Sequence, residues 1–322
     1  MDNVILKSLL AENFTSFSDR VTFTTETDAS KREHLDNTFT DGDLRFNKVS
    51  FLYGSNGSGK TFFCKILREI QRYLMLSPLI IAVENPQLLS SPHLKELDAP
   101  VKPFAFDASS QNKPTTFGIE VVISKTIYHY EFSILGKQVV YELLTKKYRR
   151  TEKLIERTSP FFKDIVLRSE LKSFDATKQT VKPEALCLPV AAMLNNSLAS
   201  QLNQAICGIQ VVNMAAGRLS PINPKKTFSK ERIEKYIHII QKADPTIRNI
   251  EVSFSEEEIA RQKIDTDDFE NREIIATKTM VGIDTKHVVY DHGEELCNQK
   301  PISFFAEESL GTIKLFTALP YL

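Results

Sequence analysis

A chain of 322 residues has room for one large α/β unit or about two domains, and its 42% hydrophobic and 25% charged content excludes a disordered or collagen-like polymer. Forty-one basic residues balance forty-one acidic ones, so no global field draws the chain towards nucleic acid or a membrane surface. The first residues lack a signal peptide's basic-then-apolar layout, and the longest apolar run, Leu74–Val83, is too short to span a bilayer and contains Pro78.

In chain order, Val4–Leu10 and Val21–Thr25 alternate as two strands joined by a turn around Asn13–Asp19. Residues 26–47 are rich in Asp, Thr and Asn and read as a loop. The apolar run Val49–Tyr53 reads as a buried strand, and a helix follows from Thr61 to about Tyr73. Five prolines (86, 92, 100, 103, 114) keep residues 84–116 irregular. Phe117–Ile123 and Ile127–Ile134 form a hairpin with Lys125 near its turn, and Val139–Leu144 adds a third strand, giving an antiparallel layer. Lys146–Arg150 is the densest basic stretch and reads first as a solvated strand end. Arg149 to about Gly208 reads as helical and irregular. Ser229 can cap a helix to about Lys242 with Ile233, Tyr236, Ile237 and Ile240 on one face. Ile247–Phe254, Ile274–Val281 and His287–Tyr290 are expected strands. The acidic stretches Glu256–Glu258 and Asp265–Glu270 read as solvated surface, and Glu307–Leu319 as a loop entering a helix.

The chemistry concentrates in Phe51-Leu-Tyr-Gly-Ser-Asn-Gly-Ser-Gly-Lys-Thr61. Gly54, Gly59, Lys60 and Thr61 satisfy the phosphate-loop pattern, with Ser55, Asn56, Gly57 and Ser58 between them. Glycines let successive backbone N–H groups converge on one anion, and the following helix aims its positive end at the same point. Lys60 would reach the β- and γ-phosphates and the Thr61 hydroxyl would hold Mg²⁺. Strand, glycine loop and helix is the context this motif requires; an ordinary Gly-rich turn is the plain alternative. Elsewhere the signals are thin. The cysteines (64, 187, 207, 297) form no C-x-x-C, which predicts reduced, structural thiols in a cytoplasmic protein. No H-x-x-x-H pair suggests a metal centre, and Asp284-Thr-Lys286 fits a nuclease pattern only by itself.

Several segments in order resemble the ABC-like AAA family ATPases of bacteria, relatives of OLD and SMC-type heads. These are Asn13-Phe-Thr-Ser-Phe17, the phosphate loop, Pro103–Asp107 through Glu142–Leu144, Ala243–Glu251 and Glu308-Ser-Leu-Gly-Thr312. The resemblance covers most of the chain and is weakest over residues 150–228. It implies an α/β P-loop head of ABC type with an antiparallel β-layer and a helical insert. The expected organisation is a nucleotide-binding lobe over 1–148, an insert over 149–228 and a return to the head over 229–322. It implies ATP and Mg²⁺ as ligands, and Asn13 near the nucleotide. Ser309 and Gly311, with Thr312, would contact the γ-phosphate of a second copy across a nucleotide-bridged homodimer. A helix N-cap is the simpler reading of Ser309 or Thr312.

The resemblance also implies a later apolar strand ending in Asp-Glu, the Walker B element. Leu79–Glu84 comes too soon after the loop and Val288–Asp291 precedes the signature, so neither is assigned that part. The expectation is an N-terminal portion of a longer ATPase with its catalytic lobe incomplete, binding nucleotide weakly and hydrolysing little. Gln111 is the candidate Q-loop residue. The resemblance further implies a role in bacterial antiviral or abortive-infection defence beside a separately encoded effector protein. Three alternatives stay open: an SMC- or RecF-like DNA-repair head, a small-molecule P-loop kinase, and a non-catalytic scaffold that uses ATP for assembly. DNA as a partner has no support from charge, and no membrane partner is expected.

Overall fold

The computed structural model describes residues 4–27, 33–54, 59–82, 100–211, 224–264, 272–292 and 294–321. The chain forms two compact units, Met1–Val211 and Val212–Leu322, each with its own apolar core. Among the described residues no helix is long and apolar enough to cross a membrane.

The first unit is built on a seven-stranded sheet. Its strands are β1 (Val4–Glu12), β2 (Val21–Thr24), β5 (Thr115–Ile123), β6 (Thr126–Leu135), β7 (Gln138–Lys147), β8 (Thr151–Arg157) and β9 (Ile165–Leu167). They lie in the order β2-β1-β5-β6-β7-β8-β9, and every pairing is antiparallel. The β5–β6 turn is tight because Ser124 and Lys125 both take positive φ, 48° and 67°, as the favoured two-residue hairpin requires. Phe117, Ile119, Val121 and Ile123 of β5 alternate onto one buried face, with Leu9, Ala11, Phe132 and Leu144 from neighbouring strands. Ile66, Leu67, Ile70, Tyr73 and Leu74 of the helix α1 (Lys60–Ala82) belong to the same core. The other face carries charge: Lys7 bonds Glu120, His129 lies between Glu120 and Glu131, and Arg20 joins Glu131 to Glu12.

One buried polar cluster ties the far end of the sheet to the helix α2 (Cys187–Met193), which is followed by α3 (Ser197–Cys207). Glu142 is fully buried and accepts from the Tyr130 hydroxyl at 2.9 Å and from the Cys187 and Leu188 amides at 2.7 and 3.0 Å. It therefore caps α2 from the sheet. Arg157, also fully buried, donates to the carbonyls of Ser159, Pro160, Pro183 and Ala185, with Nη1 3.9 Å from Glu142. Burial pushes the Glu142 carboxyl, the Tyr130 hydroxyl and the Cys187 thiol all upward in pKa.

The second unit pairs β10 (Ile247–Ile264), β11 (Arg272–Asp291) and β12 (Glu294–Ser303) in one antiparallel sheet. Its helices are α4 (Pro224–Thr227), α5 (Lys230–Ala243), α6 (Phe304–Glu307) and α7 (Leu310–Ala318). Phe316 centres the core, stacked on Phe228 at 5.9 Å, edge-on to Tyr236 at 6.0 Å and tilted against Phe304 at 4.8 Å.

Several elements differ from expectation. Residues 26–47 hold a small hairpin, β3 (Thr38–Asp41) with β4 (Leu44–Asn47), closed at Gly42 with φ 61° and anchored by buried Phe46. Val49–Tyr53 is not a strand. No described segment pairs with it, and Val49, Phe51 and Tyr53 are exposed; without a ladder partner an apolar run has no reason to stay extended and buried. Helix α1 runs past Tyr73 and through Pro78 to Ala82, so Leu79–Ala82 is helical. Arg149 onward is not simply helical and irregular, because β8 and β9 continue the sheet past residue 148. Glu256–Glu258 lies within β10, opposite Thr277–Thr279 of β11; Asp265–Glu270 lies outside the described residues.

Candidate nucleotide site

Immediately after β1 the chain folds back on itself over Asn13–Phe17. Phe14 and Phe17 exchange backbone hydrogen bonds of 2.8 Å in each direction. Asn13 takes φ 51°, which a short polar side chain tolerates best. Its buried amide donates to the carbonyls of Ser110, Lys113 and Pro114 at 2.9, 3.0 and 3.3 Å, and accepts from the Phe104 amide at 3.1 Å. Asn13 thus fastens residues 104–114 to the turn; its amide is committed to backbone groups.

The turn's rings carry the start of α1. Phe14 and Phe17 meet Phe62 edge-on at 6.3 and 6.2 Å, and Phe17 meets Phe63 at 5.5 Å. That packing brings the turn against Gly59, which is buried with φ 91°. A Cβ on Gly59 would stand 2.7 and 2.8 Å from two atoms of the Phe17 ring and 3.2 Å from Ser16 Oγ. Only glycine fits there, on grounds of both space and backbone angle. The helix opens directly beyond it, with the Phe62 amide donating to the Gly59 carbonyl at 2.8 Å. Lys60 folds back so that Nζ donates to the Gly54 carbonyl at 2.7 Å, and Thr61 is exposed on the first turn. Ser55, Asn56, Gly57 and Ser58 lie outside the described residues.

Two residues missed at the sequence level stand here. Thr15 Oγ1 and Ser16 Oγ are buried and have no hydrogen-bond partner. A buried hydroxyl without a partner is costly, and such atoms cluster where a ligand supplies the missing bond. Their only sequence signal is two hydroxyls between two phenylalanines; the burial comes from the packing of Phe17 on α1. On the other side of the loop, Val49 and Phe51 line a cleft of about 700 Å³ with Asn37, Thr38, Arg45 and Lys48.

A family described as "AAA domain, putative AbiEii toxin, Type IV TA system" matches residues 49–184. The match takes in less than half of the chain and likens that segment to an AAA-type P-loop domain. It covers the loop, α1 and strands β5 to β9, with β1 and β2 lying before it, and the α/β architecture with a large antiparallel sheet is consistent with it. No curated protein and no solved structure matched the chain.

Of the remaining expected site residues, Ser309 and Gly311 belong to the second unit and Gln111 to the first. Ser309 is the N-cap of α7: its Oγ accepts from the Thr312 amide at 3.1 Å and lies 2.7 Å from Thr312 Oγ1. Gly311 is exposed on the first turn of that helix, and nothing but Ser309 Oγ, at 3.8 Å, would meet a Cβ there. Gln111 is exposed in a short 3-10 turn over Ala108–Asn112. Asp284 of the nuclease-like triplet is exposed and Lys286 pairs with Glu251 at 2.5 Å. No cluster of metal-ligating side chains occurs among the described residues. Cys64, Cys187 and Cys207 carry no disulfide.

Proposed function

We propose that the chain binds ATP with Mg²⁺ on the loop Gly54–Thr61 and works as an ABC-type ATPase head. The observation that carries this reading is Gly59, held at φ 91° against Phe17 and Ser16 at the mouth of α1. A glycine so constrained leaves its amide edge open to an anion, and the orphaned hydroxyls of Thr15 and Ser16 stand beside it. Lys60 donates to Gly54 O and would exchange that carbonyl for phosphate oxygens, a stronger charge-assisted contact. The exposed Thr61 hydroxyl would hold the Mg²⁺, whose charge offsets that of the phosphates. Ser309 and Gly311, at the N-terminus of α7, would meet the nucleotide of a second copy in a homodimer. The family description suggests a toxin–antitoxin setting, and the resemblance to defence ATPases extends the proposal to an antiviral role beside a separate effector protein.

Equilibrium titration with a fluorescent ATP analogue tests the reading. Wild-type protein is expected to bind in the presence of Mg²⁺. Lys60→Ala and Gly59→Ala are each expected to weaken binding about tenfold or more, the loss of one or two charge-assisted bonds. Wild-type protein that binds no nucleotide, or variants that bind as wild type does, would overturn it.

A further inference from the structure

A line of hydrogen bonds in the second unit ends at the residue before Ser309. Asp244, at the end of α5, accepts from the Thr246 amide at 3.0 Å and from the Thr246 hydroxyl at 2.6 Å. Thr246 Oγ1 lies 3.0 Å from His287 Nδ1 on β11. His287 Nε2 lies 2.5 Å from Glu308 Oε1, and the Thr285 hydroxyl donates to that same oxygen. The side chains of His287 and Glu308 are 15% and 5% exposed.

Proton bookkeeping sets the directions. The one hydroxyl proton of Thr246 goes to Asp244, so its oxygen accepts from Nδ1–H of His287. On the other side of the ring, Nε2 is hydrogen-bonded to Glu308 Oε1. Both ring nitrogens are therefore committed, and the ring spans the gap between the 244–246 turn and Glu308. Removing it would leave a nearly buried carboxyl with only the Thr285 hydroxyl. Such a group turns towards water and carries its backbone with it.

We infer that His287 is a positioning residue for the start of α7. By holding Glu308 it sets where Ser309 and Gly311 face, and it couples that helix start to the turn after α5. The positioning stands on the geometry alone; its consequence for assembly rests on the reading that Ser309 and Gly311 meet the nucleotide of a second copy.

Two substitutions separate the two halves of the ring. His287→Gln places an amide where Nε2 stood and can still donate to Glu308. His287→Asn places one where Nδ1 stood and cannot reach it. The first readout is the amide resonances of Ser309, Gly311 and Thr312 in isotope-labelled full-length protein. His287→Asn is expected to shift them and His287→Gln to leave them near wild type, with unchanged circular dichroism in both. Equal shifts in the two variants, or none in either, would overturn the inference. The second readout is ATP-dependent self-association by sedimentation, with Ser309→Ala alongside. His287→Asn and Ser309→Ala are expected to weaken it about tenfold, and His287→Gln less than about threefold. If Ser309→Ala weakens association and His287→Asn does not, the positioning role is overturned. If the wild type does not associate with ATP at all, the nucleotide-bridged dimer fails, and the resonances alone decide the fate of His287.

Discussion

A methyl group added at position 59 would have to enter the space of the Phe17 ring, so that one glycine reports on a contact between segments more than forty residues apart. Gly54, Gly59, Lys60 and Thr61 stand out in the sequence by their phosphate-loop spacing, and their nucleotide role is part of the proposal. Thr15 and Ser16 were not legible there, because a hydroxyl becomes an orphan only when Phe17 closes on Phe62 and Phe63. Asn13 was expected near the nucleotide from the resemblance, and its amide secures backbone carbonyls of residues 110–114. The outer face of the sheet makes a pH-dependent claim. Hydrogen bonding to Glu120 and then Glu131 raises His129 to about 9 from an ordinary 6.5. Hydrogen bonding to His129, against the cost of burial and with help from Lys7, lowers Glu120 to about 2 from 4.5. The raised His129 stabilises fully below pH 6.5 and loses that contribution as pH climbs through 9. The lowered Glu120 stabilises fully above pH 4.5 and loses it as pH falls through 2. Urea titrations should therefore show a loss of about 1–2 kcal/mol between pH 6.5 and 9 that His129→Gln lacks, after allowance for solvent screening. Parallel pH curves for the two proteins would count against the network.

Helix α1 continues through a proline, with a buried hydroxyl one residue before it. Pro78 donates no hydrogen bond and crowds the turn before it, which stops most helices. Here Ser77 is fully buried; its hydroxyl donates to the Tyr73 carbonyl at 2.7 Å and accepts from the Leu186 amide at 2.9 Å. Ser77→Ala would leave the Leu186 amide unpaired, and about 1–3 kcal/mol of stability should go with it, measured by chemical denaturation. A change below about 0.5 kcal/mol would mean that water takes up the amide. The sequence reading ended this helix at about Tyr73, and the structure carries it on to Ala82. The β3–β4 hairpin escaped notice for a different reason. Its Asp-Gly-Asp turn was visible, but the strands are four residues each and mostly polar, with Phe46 as the single buried anchor. Strands β5 to β7 were plain because their apolar residues alternate over nine or ten positions.

Two separate apolar cores predict two unfolding events. Calorimetry should resolve two transitions, since each core can melt without exposing the other. Glu142→Leu strands the buried Arg157 and the amides of Cys187 and Leu188. It should lower only one of the transitions, by about 3–5 kcal/mol. A single transition that moves as a whole would show that the units unfold together. The order of the strands has a further consequence, which concerns the ribosome. Strand β1 pairs along its length with β5, Val4 opposite Ile123, whereas β5 to β8 pair with their immediate successors. At about 5–20 residues per second, β1 leaves the exit tunnel roughly 5–20 s before its partner does. During that wait Leu9, Ala11 and the rings of Phe14 and Phe17 have no sheet to enter, and Gly59 has nothing to rest against. The phosphate-loop sequence is thus made before β5, the strand that β1 and the turn beside Gly59 settle against. A nascent chain halted before residue 115 should be a chaperone substrate with no affinity for nucleotide.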